Sequence, residues 1–371
     1  MARLGVKGAI VGGEYIPGDV SVDEGLIDQV GLPAGDGGIA VPGFVDLQVN
    51  GFGGVDFATA SSDEWLHASR LLASTGVTSY LANIISNDPT AIDRILRVAA
   101  DVRRTDDAVS SHLKGLHLEG PFLAPDKAGI HSRKFLRDPT PNLMNQWCEL
   151  GPVRMTTIAP ELPGALELIR HLAESGVVVS LGHSNSSAEE AESGFEAGAT
   201  AVTHIFNAMA AVSGRAPGLA GMALSRDDVW LQLILDFVHV DKTLAKALFS
   251  LAPQRLIFVT DCLPVTGTTS TNFTWGGTEL QLLDGRAVNS EGTLAGSVLT
   301  MDQALRNAVS LGMSEIDAVN ATSLNPMKLL DPASKGPLHP GMPADLIVLD
   351  DNLEIHDVLA RGVSFVRQEV A

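Results

Sequence analysis

The chain has 371 residues, 45% of them apolar, with 37 Gly and 19 Pro, which excludes a disordered chain and describes a globular one with many turns and a large core. Its 44 acidic residues outnumber 25 basic ones, and the formal net charge of -19 argues against nucleic acid and anionic membrane as partners, since both are polyanions. Cys148 and Cys262 are too few for a disulfide framework, and no apolar run has the length of a membrane span or the form of a secretory leader, so a cytoplasmic setting is expected.

Residues 1–42 carry short alternating runs such as Gly8-Ala9-Ile10-Val11 and Gly25-Leu26-Ile27-Asp28-Gln29-Val30, broken by Gly and Pro and lacking a helical period. The far end mirrors them in Ala344-Asp345-Leu346-Ile347-Val348-Leu349-Asp350 and Val363-Ser364-Phe365-Val366-Arg367. Neither set has the apolar surface to stand alone, so together they predict one small β-sandwich built from both chain ends.

After Val41-Pro42-Gly43 the pattern turns to strand, helix, strand. Strands are predicted at Phe44 to Val49, Val77 to Ala82, Leu113 to Leu118 and Met155 to Ala159, then in runs ending at His183 and His204, and finally at Trp230 to Asp236 and Arg255 to Asp261. Helices are predicted at Asp63 to Ser74, Thr90 to Arg103, Ala165 to Glu174, Ala188 to Ala197, Lys242 to Leu251 and Thr300 to Leu311. Phe273 to Val288 reads as an inserted hairpin. This alternation predicts an α/β fold, a (β/α)8 TIM barrel over 43–330, with the sandwich contributed by 1–42 and 331–371.

The singular polar residues fall at strand ends: Gln48 and Asn50, Glu119, His183, His204, His239 and Asp261. In a barrel those ends surround one mouth, where such folds carry their chemistry. Glu119 ends an apolar run that Gly120-Pro121 stops; His183 and His204 end runs of their own. One carboxylate and two imidazoles with an open fourth position form a catalytic rather than a structural metal site, suited to Zn2+ and acceptable to Fe2+ or Co2+. Asp261, with no lysine or arginine near it in sequence, is placed to take a proton from a water made acidic by the metal and to pass it to a leaving amine.

Arg215, in the loop after the sixth strand, and His239, after the seventh, offer donors suited to a phosphate. His131 alone is ambiguous, and His117, two residues before Glu119 on the same strand face, reads as a supporting or packing residue. Cys262 reads as packing.

Taken together, HLEGPF at 117–122, GHS at 182–184, THIFNAM at 203–209, RAPGLAG at 215–221, VTD at 259–261 and TLAGS at 293–297 resemble the N-acetylglucosamine-6-phosphate deacetylases of the amidohydrolase superfamily. PGFVDLQVNG at 42–51 and GMPADLIVLD at 341–350 extend the likeness over nearly the whole chain. The resemblance implies a homodimer acting on a small phosphorylated amino sugar, with Glu119, His183 and His204 as metal ligands and Asp261 as acid and base. It further implies that His131 lies near the scissile carbonyl, and that Asn207, Ala208, Arg215, His239 and Leu294 contact substrate. Most amidohydrolases have His-x-His after the first strand; Gln48 and Asn50 stand there instead, and neutral amides are poor ligands for a second divalent ion, so one metal per subunit is expected. An amidohydrolase acting on a cyclic amide or an N-acyl amino acid would keep the metal site but have no use for Arg215 and His239. A barrel that had lost its chemistry would have no need to retain all four of Glu119, His183, His204 and Asp261.

Overall fold

A computed structural model describes residues 2–105, 110–334, 336 and 338–365. Its centre is a sheet of eight parallel strands in sequential order: β1 (Phe44–Val49), β2 (Val77–Ile85), β3 (His112–Glu119), β4 (Val153–Ile158), β5 (Val178–Leu181), β6 (Ala201–Val202), β7 (Trp230–Leu233) and β8 (Leu256–Phe258). The sheet closes on itself past the end of β8. Val49 bridges Cys262, Asn50 N–H donates to the Cys262 carbonyl at 3.0 Å, and Thr260 N–H donates to Asp46 Oδ1 at 3.2 Å.

Each strand is followed by a helix: α1 (Ser62–Ala73), α2 (Pro89–Arg104), α3 (Pro141–Leu150), α4 (Ala165–Glu174), α5 (Ala188–Glu196), α6 (Gly218–Ser225), α7 (Lys242–Leu251) and α8 (Met301–Ser310). Strands covered on one face by helices and on the other by the barrel interior have no wet side, and β1 and β2 are buried at every position. Local chemistry sets the helix starts. Ser61 with Glu64, and Ser187 with Glu190, form reciprocal capping boxes, while Asp88 caps α2 ahead of Pro89.

The barrel interior below the mouth is polar rather than oily. Thr157 Oγ1 lies 2.8 Å from both His117 Nε2 and Thr203 Oγ1, and Ser180 Oγ accepts from Thr203 and from Gln232. Buried hydroxyls and amides that bond one another are tolerated where single ones would not be. Gly182 is required here by space, because a Cβ would stand 2.9 Å from Thr157 and 3.0 Å from Thr203 side-chain atoms.

The two chain ends meet in one six-stranded sheet. Gly37–Pro42 pairs in parallel with Val6–Val11 and antiparallel with Leu346–Leu349, opposing Pro42 to Leu346 and Val41 to Ile347. A three-stranded sheet of Ala2–Arg3, Asp19–Asp23 and Leu26–Leu32 faces it across a core of Val6, Val20, Ile27, Ala40, Leu346 and Leu359.

Several elements differ from the sequence expectation: β2 runs on to Ile85, and two unpredicted helices, Glu315–Thr322 and Leu324–Leu330, follow α8. The insertion at 273–288 is a three-stranded meander, Asn272–Trp275, Thr278–Leu283 and Arg286–Val288, because Gly285 makes a second turn after the one at Gly276-Gly277. Helix α3 lies in a segment expected to be only a long connection; its buried residues are just Met144 and Trp147, too few to announce a period. The last barrel strands end earlier than predicted, at Leu181, Val202, Leu233 and Phe258.

Candidate active site

Because β5, β6 and β8 stop early, His183, His204 and Asp261 lie two or three residues beyond them, and all three are left-handed, with φ of 50°, 30° and 51°. Such backbone costs on the order of 1–3 kcal/mol per non-glycine residue. Its effect is to break the strand alternation and turn each side chain into the mouth. Glu119, by contrast, is the last residue of β3 and reaches the mouth by the regular pleat.

Glu119 Oε1 lies 3.0 Å from His183 Nε2 and 2.9 Å from His204 Nε2, and the two imidazole nitrogens are 3.1 Å apart. All three residues are buried, and their ligating atoms fall within 4.8 Å of one another. His183 Nδ1 donates to the Lys127 carbonyl at 2.7 Å, so its Nε2 presents a lone pair to the cluster. His204 Nδ1 is buried without a partner among the described residues. An anionic oxygen and imidazole lone pairs converging in a buried site repel one another without a cation between them, and the donor set is that of a three-ligand divalent metal site. The residues fit such an ion.

Asp261 is buried at the same mouth, its Oδ1 accepting from Asn50 Nδ2 at 2.8 Å. Burial, and then the nearby Glu119 charge, pushes its carboxyl up to about 8. A divalent cation beside it would favour the ionised form. Asn83 links the two carboxylates, since its Nδ2 donates to Glu119 Oε2 at 2.7 Å and to Asn50 Oδ1 at 2.8 Å, while Gln48 Nε2 donates to Glu119 Oε1 at 3.2 Å.

His131 stands with its Nε2 3.8 Å from Glu119 Oε2. Its Nδ1 accepts from the Ser86 backbone N–H at 3.2 Å, which leaves the proton on Nε2. Burial, then the neighbouring His183, pushes this imidazole down to about 3, so it is a neutral donor over the working range. His117 is confined to the barrel interior, bonded to Thr157 and near the Leu47 carbonyl, and burial lowers it to about 4; it supports the floor of the site and does not reach the cluster.

A cavity of about 350 Å³ opens above these groups. Glu119, His131, His183, His204, Asn207, Ala208, His239, Asp261 and Leu294 all line it, so every predicted site residue but one is brought together. The exception is Arg215, exposed on a turn closed by mutual backbone bonds of Ser213 and Ala216 and absent from the lining. Lys127, Asp126, Ile85 and Trp275 line the cavity without having been singled out in the sequence. The Lys127-Ala128-Gly129 approach to His131 was a signal for the first two; nothing local marked Trp275, which arrives from the meander.

The amidohydrolase family model matches residues 39–366. Among similar proteins, the N-acetylglucosamine-6-phosphate deacetylase of Homo sapiens is 36% identical over 88% of this chain and 83% of its own length. The N-acetylgalactosamine-6-phosphate deacetylase of Escherichia coli O157:H7 is 30% identical over 92% of this chain and 96% of its own length. Among solved structures, a mutant N-acetyl-D-glucosamine-6-phosphate deacetylase from Mycobacterium smegmatis, in complex with N-acetyl-D-glucosamine-6-phosphate, superposes with a TM-score of 0.92 at 31% identity, covering 98% of this chain and 99% of that one.

Proposed function

The chain belongs to the amidohydrolase family, and we propose that it hydrolyses the acetamido group of N-acetyl-D-glucosamine 6-phosphate to D-glucosamine 6-phosphate and acetate, in amino-sugar catabolism and cell-wall recycling. The observation that carries this is the meeting, at one cavity, of a three-ligand cluster with a carboxylate and a neutral imidazole donor on its rim. A divalent ion held by Glu119, His183 and His204 supplies a polarising charge and a water acidic enough to ionise near pH 7. We assign Zn2+ to the site, with Fe2+ or Co2+ also suited to its donors, and one ion per subunit, because Gln48 and Asn50 are neutral amides, poor ligands for a second divalent ion, and Asn50 is already bonded to Asn83 and Asp261.

The chain's own residues supply the rest. His131 offers its Nε2–H to the acyl oxygen as negative charge grows there. Asp261, with one oxygen fixed by Asn50, takes the proton of the nucleophile on the other and returns it to the departing amine. Asn207, Ala208, His239 and Leu294 shape the sugar and phosphate side, and Arg215, exposed on its loop, is assigned to the phosphate with His239.

The same reading carries a cytoplasmic homodimer. Both cysteines are unpaired, no helix among the described residues is long and apolar enough to cross a membrane, and α7 leaves Leu244 and Leu251 at 40% and 68% exposure. Sedimentation equilibrium of the purified protein tests the dimer.

The activity is tested by free-amine release from N-acetylglucosamine 6-phosphate, its galacto epimer and unphosphorylated N-acetylglucosamine, before chelation, after it, and after zinc is restored. Metal-dependent release that favours the phosphorylated gluco sugar is expected. Preference for the galacto epimer would move the substrate by one stereocentre, and release from none of them would overturn the reading.

A further inference from the structure

Past the end of β7 the chain turns through residues 234–240, where Ile234 and His239 face the cavity. Asp236 organises this loop. Its Oδ1 accepts from the backbone N–H groups of Val238 at 2.9 Å and His239 at 2.8 Å, and its Oδ2 accepts from His239 Nδ1 at 2.7 Å. Both side chains are nearly buried, 12% and 7% exposed. Phe237 between them is left-handed, with φ of 64°, and Asn307 of α8 holds the Leu235 carbonyl at 2.8 Å, so the turn is fixed from both sides.

An ionised carboxylate only accepts hydrogen bonds, so Nδ1 of His239 carries a proton and Nε2 is the nitrogen left for a ligand. Nε2 has no hydrogen-bond partner among the described residues. Burial alone would raise the Asp236 carboxyl, but the His239 bond and charge outweigh it and keep it below the ordinary range, so it is an anion at any working pH. In the neutral ring Nε2 would offer only a lone pair, which suits a sugar hydroxyl and repels a phosphate oxygen. A phosphomonoester oxygen at Nε2 would set the ring between two anionic acceptors, and a ring that donates to both is the charged partner of charge-assisted bonds.

The other charged or titratable groups lining the cavity are Glu119, Asp126, Lys127, His131, His183, His204 and Asp261. On the loop's outer side Lys242 stands over the Phe237 ring at 4.5 Å, and Asp241 caps α7. Neither has a hydrogen bond or ion pair to His239, and Asp236 is the one group hydrogen-bonded to the ring among the described residues.

We infer that Asp236 is a positioning residue that makes His239 a phosphate-selective donor, fixing the ring through Nδ1 and presenting Nε2 to the phosphomonoester. The inference rests on the phosphorylated substrate proposed above. It concerns a residue that touches no substrate and acts only through the ring.

Asp236→Asn tests it. The asparagine carbonyl keeps the two backbone bonds, while its NH2 faces Nδ1 and forces the neutral ring to carry its proton on Nε2, so a donor remains and the charge is lost. A charge-assisted bond is about twice as strong as a neutral one, so KM for N-acetylglucosamine 6-phosphate should rise about tenfold. The kcat should stay within about twofold, and KM for unphosphorylated N-acetylglucosamine should not move. In a His239→Ala background the same substitution should add nothing. An unchanged KM, a rise shared by both sugars, or a parallel fall in kcat would each overturn the inference, the last two by showing that Asp236 only scaffolds the loop. A wild-type enzyme with no preference for the phosphorylated sugar would instead overturn the proposed substrate, and this inference with it.

Discussion

Asp261→Asn separates the chemistry from the scaffold. The side chains are isosteric, and the asparagine carbonyl can keep the 2.8 Å bond from Asn50 Nδ2, so the mouth should not rearrange. What is removed is the oxygen that carries the proton. Three carboxylates line the cavity: Glu119, Asp126 and Asp261. Glu119 is committed to His183, His204 and Asn83, and Asp126 stands exposed on its loop, so neither can stand in. One positioned acid or base contributes about 10²- to 10⁴-fold, and Asp261 serves both proton transfers. A fall in kcat of roughly 10³- to 10⁴-fold is therefore expected, with KM within a few-fold and metal content, read by elemental analysis, at the wild-type level. Amine release within tenfold of wild type in a metal-replete variant would refute the assignment. Loss of metal together with activity would mean that Asp261 acts as a ligand beside Glu119, His183 and His204 rather than as the acid and base.

The remaining predictions follow from single contacts. Exhaustive chelation should abolish amine release, with recovery on adding Zn2+, Fe2+ or Co2+; activity surviving a verified metal-free state would remove the ion from the reaction. His131→Asn should lower kcat about 10²- to 10³-fold, the effect of losing one donor to a developing oxyanion, and an unchanged kcat would return His131 to a packing role. Burial raises Asp46 from 3.8 to about 7. Its folded form holds the proton more tightly than the unfolded one, so its stabilising share is complete below pH 3.8 and is lost as pH rises through 7, an effect bounded at about 4 kcal/mol. Asp46→Asn, which can donate to the Thr260 hydroxyl in place of accepting from it, should flatten the melting temperature between about pH 4 and 8 and raise it at about pH 8; a variant that melts lower than wild type there would refute this.

The legible part of this molecule is the part that propensity and pattern describe. Eight buried runs with helices between them, and polar residues at the ends of those runs, were enough to place Glu119, His183, His204 and Asp261 around one mouth. Asn83 was lost for a local reason. Asparagine disfavours strands, but the strand predicted at Val77 to Ala82 continues to Ile85 in β2 and sets Asn83 beside His117 and Ile85 beside Glu119. That register is what lets one amide join the Glu119 carboxylate to the partner of Asp261. Arg215 was legible as a residue type that fits a phosphate, but where the tip of its loop stands is decided by contacts that sequence neighbours do not report.

The left-handed backbone at His183, His204 and Asp261 is a deeper case, because histidine and aspartate announce no positive φ as glycine would. Propensity argues against that conformation, so it persists only because the surroundings over-determine it: the Lys127 carbonyl on His183, the Asn50 amide on Asp261, and the tight approach at Gly182. Local preference and the observed backbone disagree at the residues assigned to the chemistry, and the helices and long strands, where they agree, are what hold those residues in place.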